Sequence, residues 1–234
     1  MSRGNIRFVI TLGLIFCASG LYLTWHTVLA RSDMKVAAIS PDHAGGRRAL
    51  GHAGGSGSKP IDAFRLRTLG GTFDNSNLLG RWNIVFFGYT HCPSACPTAL
   101  GQLQRLMRQV RVAGQELPQV VFVSVDSNRD TPKLLNAFVH AFDSNFIGAT
   151  ADDEALKPLL NDLGAYYQRG EPLGDDGYYV VDHSTAIYLI DPQGRLRKVF
   201  APPHDGAAMA KQYIAIVERR AESVAHSAPT RTDG

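Results

Sequence analysis

Phe86-Phe87-Gly88-Tyr89-Thr90-His91-Cys92-Pro93-Ser94-Ala95-Cys96-Pro97 is the stretch whose reading decides the fold of this chain. The apolar run that leads into it, from Asn83 to Gly88, has the character of a central strand covered on both faces. Leu100, Leu103, Met107 and Val110 follow at helical spacing, so a helix is expected from Pro97 to about Val112. Between strand and helix sit two thiols in Cys-x3-Cys spacing, each followed by a proline. Inside a regular helix the Pro97 ring would clash with the carbonyl of Pro93. Pro97 is therefore expected to open the helix, with Cys96 at the cap and Cys92 on the loop before it. Both sulfurs would then lie near the positive end of the helix dipole, which favours thiolate. Redox exchange, soft-metal binding and a structural disulfide all use thiols presented in this way. The disulfide staple is the weakest of the three, because closing so short a loop removes little unfolded-state entropy.

Outward from this stretch, strand and helix patterns alternate. Phe64-Arg65-Leu66-Arg67-Thr68-Leu69 alternates apolar with polar residues, Gly70-Gly71 turns, and Thr72-Phe73 starts the return strand of a hairpin that Leu78-Leu79-Gly80 closes. Downstream, residues 118–126 read as a second buried strand. Thr131-Pro132 supplies a helix cap and a first-position proline, with Leu134, Leu135, Phe138 and Phe142 as the core face. A further helix is expected to start at Pro158, with Leu159, Leu160 and Leu163 inward. Residues 185–200 read as a hairpin turning at Pro192-Gln193-Gly194, and Asp205 caps a last helix to about Glu222. The resulting order, three strands, the thiol-bearing helix, a strand, two helices, a hairpin and a helix, is an α/β arrangement with a central sheet flanked by helices. It suits a thioredoxin-like fold with the thiol pair at the carboxyl end of a central strand.

That layout brings His183 into consideration. It lies in Tyr178-Tyr179-Val180-Val181-Asp182-His183-Ser184, just before a buried strand whose start faces the cysteine loop in a thioredoxin-like sheet. Two thiolates and one imidazole suit Cu(I), and the same set can hold Cu(II). Structural zinc usually takes four protein ligands, and no fourth is evident. Cys92, Cys96 and His183 are thus the candidate metal ligands, while Cys92 and Cys96 alone form the redox pair of the dithiol reading. Thioredoxin-type oxidoreductases place a cis-proline just before this strand and space their thiols Cys-x2-Cys. Residues 182–187 contain no proline, and the spacing here is one residue longer. Both departures favour metal handling. His91 is expected on the surface, Asp126 at a strand end near the thiols, Asp182 as a buttress for His183, and His204 on a loop.

The ends of the chain bear on location. With 234 residues, 44% of them hydrophobic, and a net charge of +3, the composition fits one ordinary domain plus extensions and gives no footprint for nucleic acid. Residues 8–30 contain no Asp, Glu, Lys or Arg, which meets the roughly 20-residue length needed to span a bilayer. Cys17 falls within that run as a small hydrophobe, and Tyr22 and Trp25 suit its interfacial end. Residues 1–30 are accordingly read as a cytoplasmic N-terminus and transmembrane anchor. Residues 31–59, rich in glycine and serine and containing His43 and His52, form a flexible linker. Residues 60–222 form the folded domain, and residues 223–234 a disordered tail. The orientation expected is an inner-membrane protein with its domain on the periplasmic side, an oxidising compartment in which the thiol pair can form a disulfide.

Three segments together, Phe87-Gly88-Tyr89-Thr90-His91-Cys92-Pro93-Ser94-Ala95-Cys96-Pro97, Val125-Asp126-Ser127-Asn128-Arg129-Asp130-Thr131-Pro132 and Val181-Asp182-His183-Ser184-Thr185, resemble the Sco/SenC family. The resemblance covers roughly residues 61–222. It implies a membrane-anchored copper chaperone whose site is made by Cys92, Cys96 and His183. The partner it implies is subunit II of cytochrome c oxidase, whose dinuclear copper site would be loaded or reduced, with other copper chaperones or thiol reductants acting upstream. Ser127-Asn128 stands where the family commonly has Pro-Glu, a difference in a turn rather than a ligand. The expected role is assembly rather than turnover catalysis. The rival is a thiol-disulfide oxidoreductase that reduces the oxidase's copper-ligand cysteines, and a peroxiredoxin-like peroxidase is a distant third.

Overall fold

The computed structural model describes residues 59–173 and 177–227. The expected membrane span, Cys17, the linker histidines His43 and His52, and residues 228–234 lie outside the described residues. Among those described, no helix is long and apolar enough to cross a membrane. In chain order the elements are β1 (Arg65–Thr68), β2 (Gly71–Asp74), α1 (Asn75–Leu78), β3 (Asn83–Gly88), α2 (Ala95–Val112), β4 (Gln119–Ser124) and α3 (Pro132–His140). They continue with β5 (Ile147–Thr150), α4 (Asp153–Leu163), β6 (Tyr167–Arg169), β7 (Val181–His183), β8 (Ile187–Ile190), β9 (Leu196–Phe200) and α5 (Gly206–Ser227). Seven strands form one mixed sheet in the order β2-β1-β5-β4-β3-β8-β9, and β6 and β7 pair as a separate hairpin.

The strand before the thiols lies inside this sheet, next to its middle strand β4, as its unbroken apolar run requires. Every residue of β3 is buried, with β4 parallel on one side and β8 antiparallel on the other. The parallel register sets Gly88 beside Ser124, so the carboxyl ends of β3 and β4 reach the same edge. Helix α2 buries Leu100, Leu103, Met107 and Val110, the face expected from their spacing, together with Leu106, and packs against α5. Tyr213 of α5 is fully buried, meets Trp82 edge-on at 6.0 Å and donates its hydroxyl to the Glu116 carbonyl at 2.7 Å. Asp205 caps α5 by accepting from the Ala207 and Ala208 amides, and that helix runs on to Ser227, beyond the expected end at Glu222.

Several local expectations are corrected. Residues 75–78 form a short helix rather than the close of a hairpin, because Asp74 and Asn77 cap each other's backbone in a capping box. Helix α4 starts five residues before Pro158. Asp152 accepts from the Ala155 amide at 3.0 Å, and that cap outweighs the proline, which is accommodated inside the helix. In α3 the buried positions are Leu135 and Val139, while Leu134 is 40% exposed. Strand β5 and the β6–β7 hairpin were not anticipated. In Ile147-Gly148-Ala149-Thr150 the two central residues are ones that strands disfavour, and four residues are too few to announce a strand around them.

Gly148 shows why. A side chain there would put Cβ 2.8 Å from both Cβ and the carbonyl carbon of Leu135, so α3 rests directly on β5 where only glycine leaves room. Gly148→Ala should cost about 1–3 kcal/mol as overpacking against backbone. Urea unfolding should show a lower midpoint with an unchanged m-value.

Candidate metal centre

Three elements converge at the carboxyl edge of β3. Gly88 ends that strand, and a Cβ at this position would lie 2.7 Å from Cys96 Sγ and 2.6 Å from Phe122 Cε2. The absence of a side chain at Gly88 is what lets the sulfur tuck against the sheet. The chain then turns, with the Cys92 amide donating to the Tyr89 carbonyl at 3.3 Å. Helix α2 begins at Ala95 with Ser94 at the cap position, so Cys96 lies in the first turn rather than at the cap. Pro97 still fits, because the carbonyl its ring would strike belongs to Pro93, outside the helix. Ser94 makes no side-chain cap. Cys92 Sγ instead accepts the otherwise orphaned Cys96 amide at 3.4 Å, so one thiol of the pair does the capping.

His183 arrives from β7. Alternation along that strand buries Val181 and His183 and leaves Asp182 exposed. The ring packs edge-on against Tyr89 at 5.8 Å and against Phe86 at 6.4 Å between centroids. Its Nδ1 lies 3.0 Å from the Ser184 carbonyl. A carbonyl can only accept, so Nδ1 carries the proton and Nε2 presents its lone pair. That lone pair points into the site, 3.7 Å from Cys96 Sγ. One ligand atom from each of Cys92, Cys96 and His183 lies within 4.8 Å of the other two, and all three residues are buried. Metal–sulfur and metal–nitrogen bonds of about 2.3 and 2.05 Å at a trigonal angle would set sulfur and nitrogen about 3.8 Å apart. The observed S···N edge therefore fits a three-coordinate ion with little adjustment.

Electrostatics correct one expectation. Burial pushes the Cys96 thiol far above its ordinary value, and the Tyr89 amide only partly opposes this. Burial likewise lowers His183, against smaller opposing effects of the Ser184 carbonyl and Asp182. Desolvation thus outweighs the helix dipole at Cys96, and the metal-free pair rests as neutral thiol beside neutral imidazole. Both cysteines are free thiols.

The other residues singled out from the sequence divide. His91 is exposed, 3.1 Å from Thr90 Oγ1, as expected. Asp182 does not buttress His183; the Ser184 carbonyl takes that place, because strand alternation turns Asp182 outward. Asp126 is fully buried and joined to Arg129 and Tyr179 rather than to the thiols. His204 is half-buried, and its Nε2 donates to the Thr185 carbonyl at 2.8 Å. Gly88, Tyr89 and Tyr179 were not anticipated. Gly88 and Tyr89 carried one usable signal, their adjacency to the first thiol. Tyr179 carried none.

The SCO1/SenC family matches residues 55–218, a span that holds all three candidate ligands. Protein SCO1 homolog 1, mitochondrial, of Arabidopsis thaliana is 34% identical over 140 residues, which is 60% of this chain and 41% of that protein. The chain spans about half the length of the curated relatives it matches. Among solved structures, Arabidopsis thaliana ScoI with copper bound superposes with a TM-score of 0.64 at 30% identity, covering 69% of this chain and 99% of that one. Yeast Sco1 with copper bound gives 0.64 at 26% identity, with 69% and 90% coverage. The mixed sheet flanked by helices is thus the architecture of the Sco structures, in keeping with the thioredoxin-like layout expected from the sequence. With one family pattern running through both thiols and the histidine, and family structures lying on the same sheet, this chain belongs to the SCO1/SenC family.

Proposed function

We propose that this chain is a copper-binding assembly factor that carries copper on Cys92, Cys96 and His183 to the dinuclear copper site of cytochrome c oxidase subunit II. The observation that carries the reading is the convergence of two buried thiols and one correctly tautomerised imidazole at a spacing that fits a trigonal ion. Two relatives in the same family have been solved with copper bound, which supports copper as the cargo. Thiolate and imidazole donors match a soft monovalent ion, and three ligands leave room for a partner's ligand to attack during transfer. On this reading residues 8–30 anchor the domain to the inner membrane, facing the periplasm, and the following linker gives it reach.

Each protein group has a definable task. Cys96 must surrender its proton when the ion arrives, and the Tyr89 amide stabilises the resulting thiolate. His183 is already neutral above its lowered pKa, so it offers Nε2 without competition from protons. Cys92 is the least covered of the three ligands, at 9% exposure against 0% for Cys96 and 6% for His183, and it is the natural point of entry and exit.

Copper(I) titration of the soluble domain tests the assignment. His183→Ala should weaken binding by at least about 10–100-fold, the range seen when support for a metal ligand is removed. Cys96→Ser should weaken it further, and equal affinity in all three proteins would refute the site. Catalytic disulfide exchange that survives His183→Ala but not Cys92→Ser would favour the oxidoreductase reading instead. A pH series checks the proton accounting. Because the Cys96 pKa is raised well above neutrality, its proton is still bound throughout the neutral range and leaves with metal binding. Copper affinity should therefore rise by at least about tenfold per unit between pH 7 and 8. Calorimetry in buffers of different ionisation enthalpy should report at least one proton released per ion.

A further inference from the structure

We propose that Asp126 and Asp130 are positioning residues: two buried carboxylates in one turn, one holding the thiol loop and the other the histidine hairpin, which together set the spacing of the three ligand atoms. The proposal rests on the copper reading above but concerns residues that are not ligands. Neither aspartate belongs to the group that can hold the ion.

Asp130 is 1% exposed and faces the thiol loop. Its Oδ2 accepts from the Thr90 amide at 2.9 Å and from Ser124 Oγ at 2.6 Å, while Oδ1 accepts from Thr90 Oγ1 at 2.5 Å. Thr90 lies two residues before Cys92, so this carboxylate pins the thiol loop to the end of β4. Asp126 is fully buried and faces the hairpin. Its Oδ1 accepts from the Tyr179 hydroxyl at 2.6 Å, its Oδ2 accepts from Arg129 Nε, and Arg169 Nε lies 3.8 Å away. Arg129 in turn stacks 3.7 Å over the Tyr179 ring and donates Nη1 to the Tyr179 carbonyl at 3.0 Å. Arg169 belongs to β6, where it pairs with Val181, and it donates to the Val125 carbonyl at 3.0 Å. Backbone and side chain of the segment leading to His183 are therefore both fastened to Asp126 and its arginines.

The two attachments are mechanically one piece. The Arg129 and Asp130 amides both donate to the Asp126 carbonyl, at 3.1 and 2.9 Å. Ser124 Oγ donates to Asp130 and accepts from the Asp126 amide at 3.1 Å. The ligands come from segments about ninety residues apart, and this turn is bonded to both. A buried carboxylate is costly unless it is fully hydrogen-bonded, and both meet that condition. Arg129 also lies 5.6 Å over the Tyr89 ring, the same ring that walls His183, so the histidine is held from its side as well as along its backbone.

The test uses Asp126→Ala, Asp130→Ala and their Asn counterparts in the full domain, with Gly148→Ala, whose added Cβ meets Leu135 rather than either carboxylate, as a destabilised control. In the metal-free protein, amide exchange at residues 179–183 should quicken in Asp126→Ala, and exchange at Cys92 should quicken in Asp130→Ala. Copper(I) affinity should fall roughly 10–100-fold in each Ala variant. In the copper(II) forms, Asp126→Ala should alter the nitrogen coupling in the paramagnetic resonance spectrum while keeping the thiolate charge-transfer band. Asp130→Ala should shift that band and keep the nitrogen coupling. Asp126→Asn, which can still accept from Tyr179, should recover part of the loss. Folded Ala variants with wild-type affinity and spectra would overturn the proposal. So would identical losses in both variants that merely track melting temperature, as the Gly148→Ala control would reveal. If the wild-type protein binds no copper, the function fails instead, and the exchange measurements alone decide the brace.

Discussion

The close approach at Gly88 is the constraint on which the site depends. A central strand must end without a side chain so that the Cys96 sulfur can rest against both the strand and Phe122. Because the sulfur is seated there, α2 starts where it does, and Cys92 is left on the loop with its own sulfur capping the helix. Because β8 pairs with β3 on its other side, the segment before β8 is brought back over the same edge and carries His183 with it. Sheet register and ligand spacing are thus one geometrical fact. A shift of one residue in β3 would turn its buried side chains to the opposite face and remove the space for the sulfur.

Much of this could be read from residues alone, and each part that could not has a physical cause. The β3 run, the core face of α2, the Thr131 and Asp205 caps and the β8–β9 hairpin are local signals, each complete within a few residues. The three candidate ligands could be singled out because a thiol pair and a strand-edge histidine have few other uses together, and the structure brings them together. Some failures depend on partners distant in sequence, and others on local signals that compete. Strand β5 is a strand because β4 and β1 flank it, not because Gly148-Ala149 prefers to be extended. Pro158 reads as a helix start because proline suits a first helical turn, but the Asp152 cap, with Asp153 and Glu154 behind it, starts the helix earlier. Asp182 looked like the partner of His183 by adjacency, but strand alternation faces neighbours in opposite directions.

The thiolate expectation failed for a reason of magnitude. A helix terminus offers a fraction of a unit charge in its first turn, an effect worth roughly 0.3–1 kcal/mol at exposed sites. Full burial of a thiolate costs several times that, since buried groups shift by up to roughly 3–5 pK units and each unit is worth about 1.4 kcal/mol. Sequence reveals the helix start but not the depth at which Cys96 sits, so it reveals the smaller effect and hides the larger one.

If the chain is a carrier, as proposed, this burial has a consequence. A site that rested as open thiolates would bind any soft cation and would oxidise readily in an oxidising compartment. Held as a neutral thiol beside a neutral imidazole, Cys96 is a poor nucleophile until an ion displaces its proton. Copper binding and proton release then become a single exchange. On the proposed reading, delivery is its reverse: a partner's ligands take the ion as Cys96 regains a proton, and the return to the neutral, desolvated pair drives release. On the same reading the site lets the ion go provided that Cys92, the least covered candidate ligand, is the last to part from it.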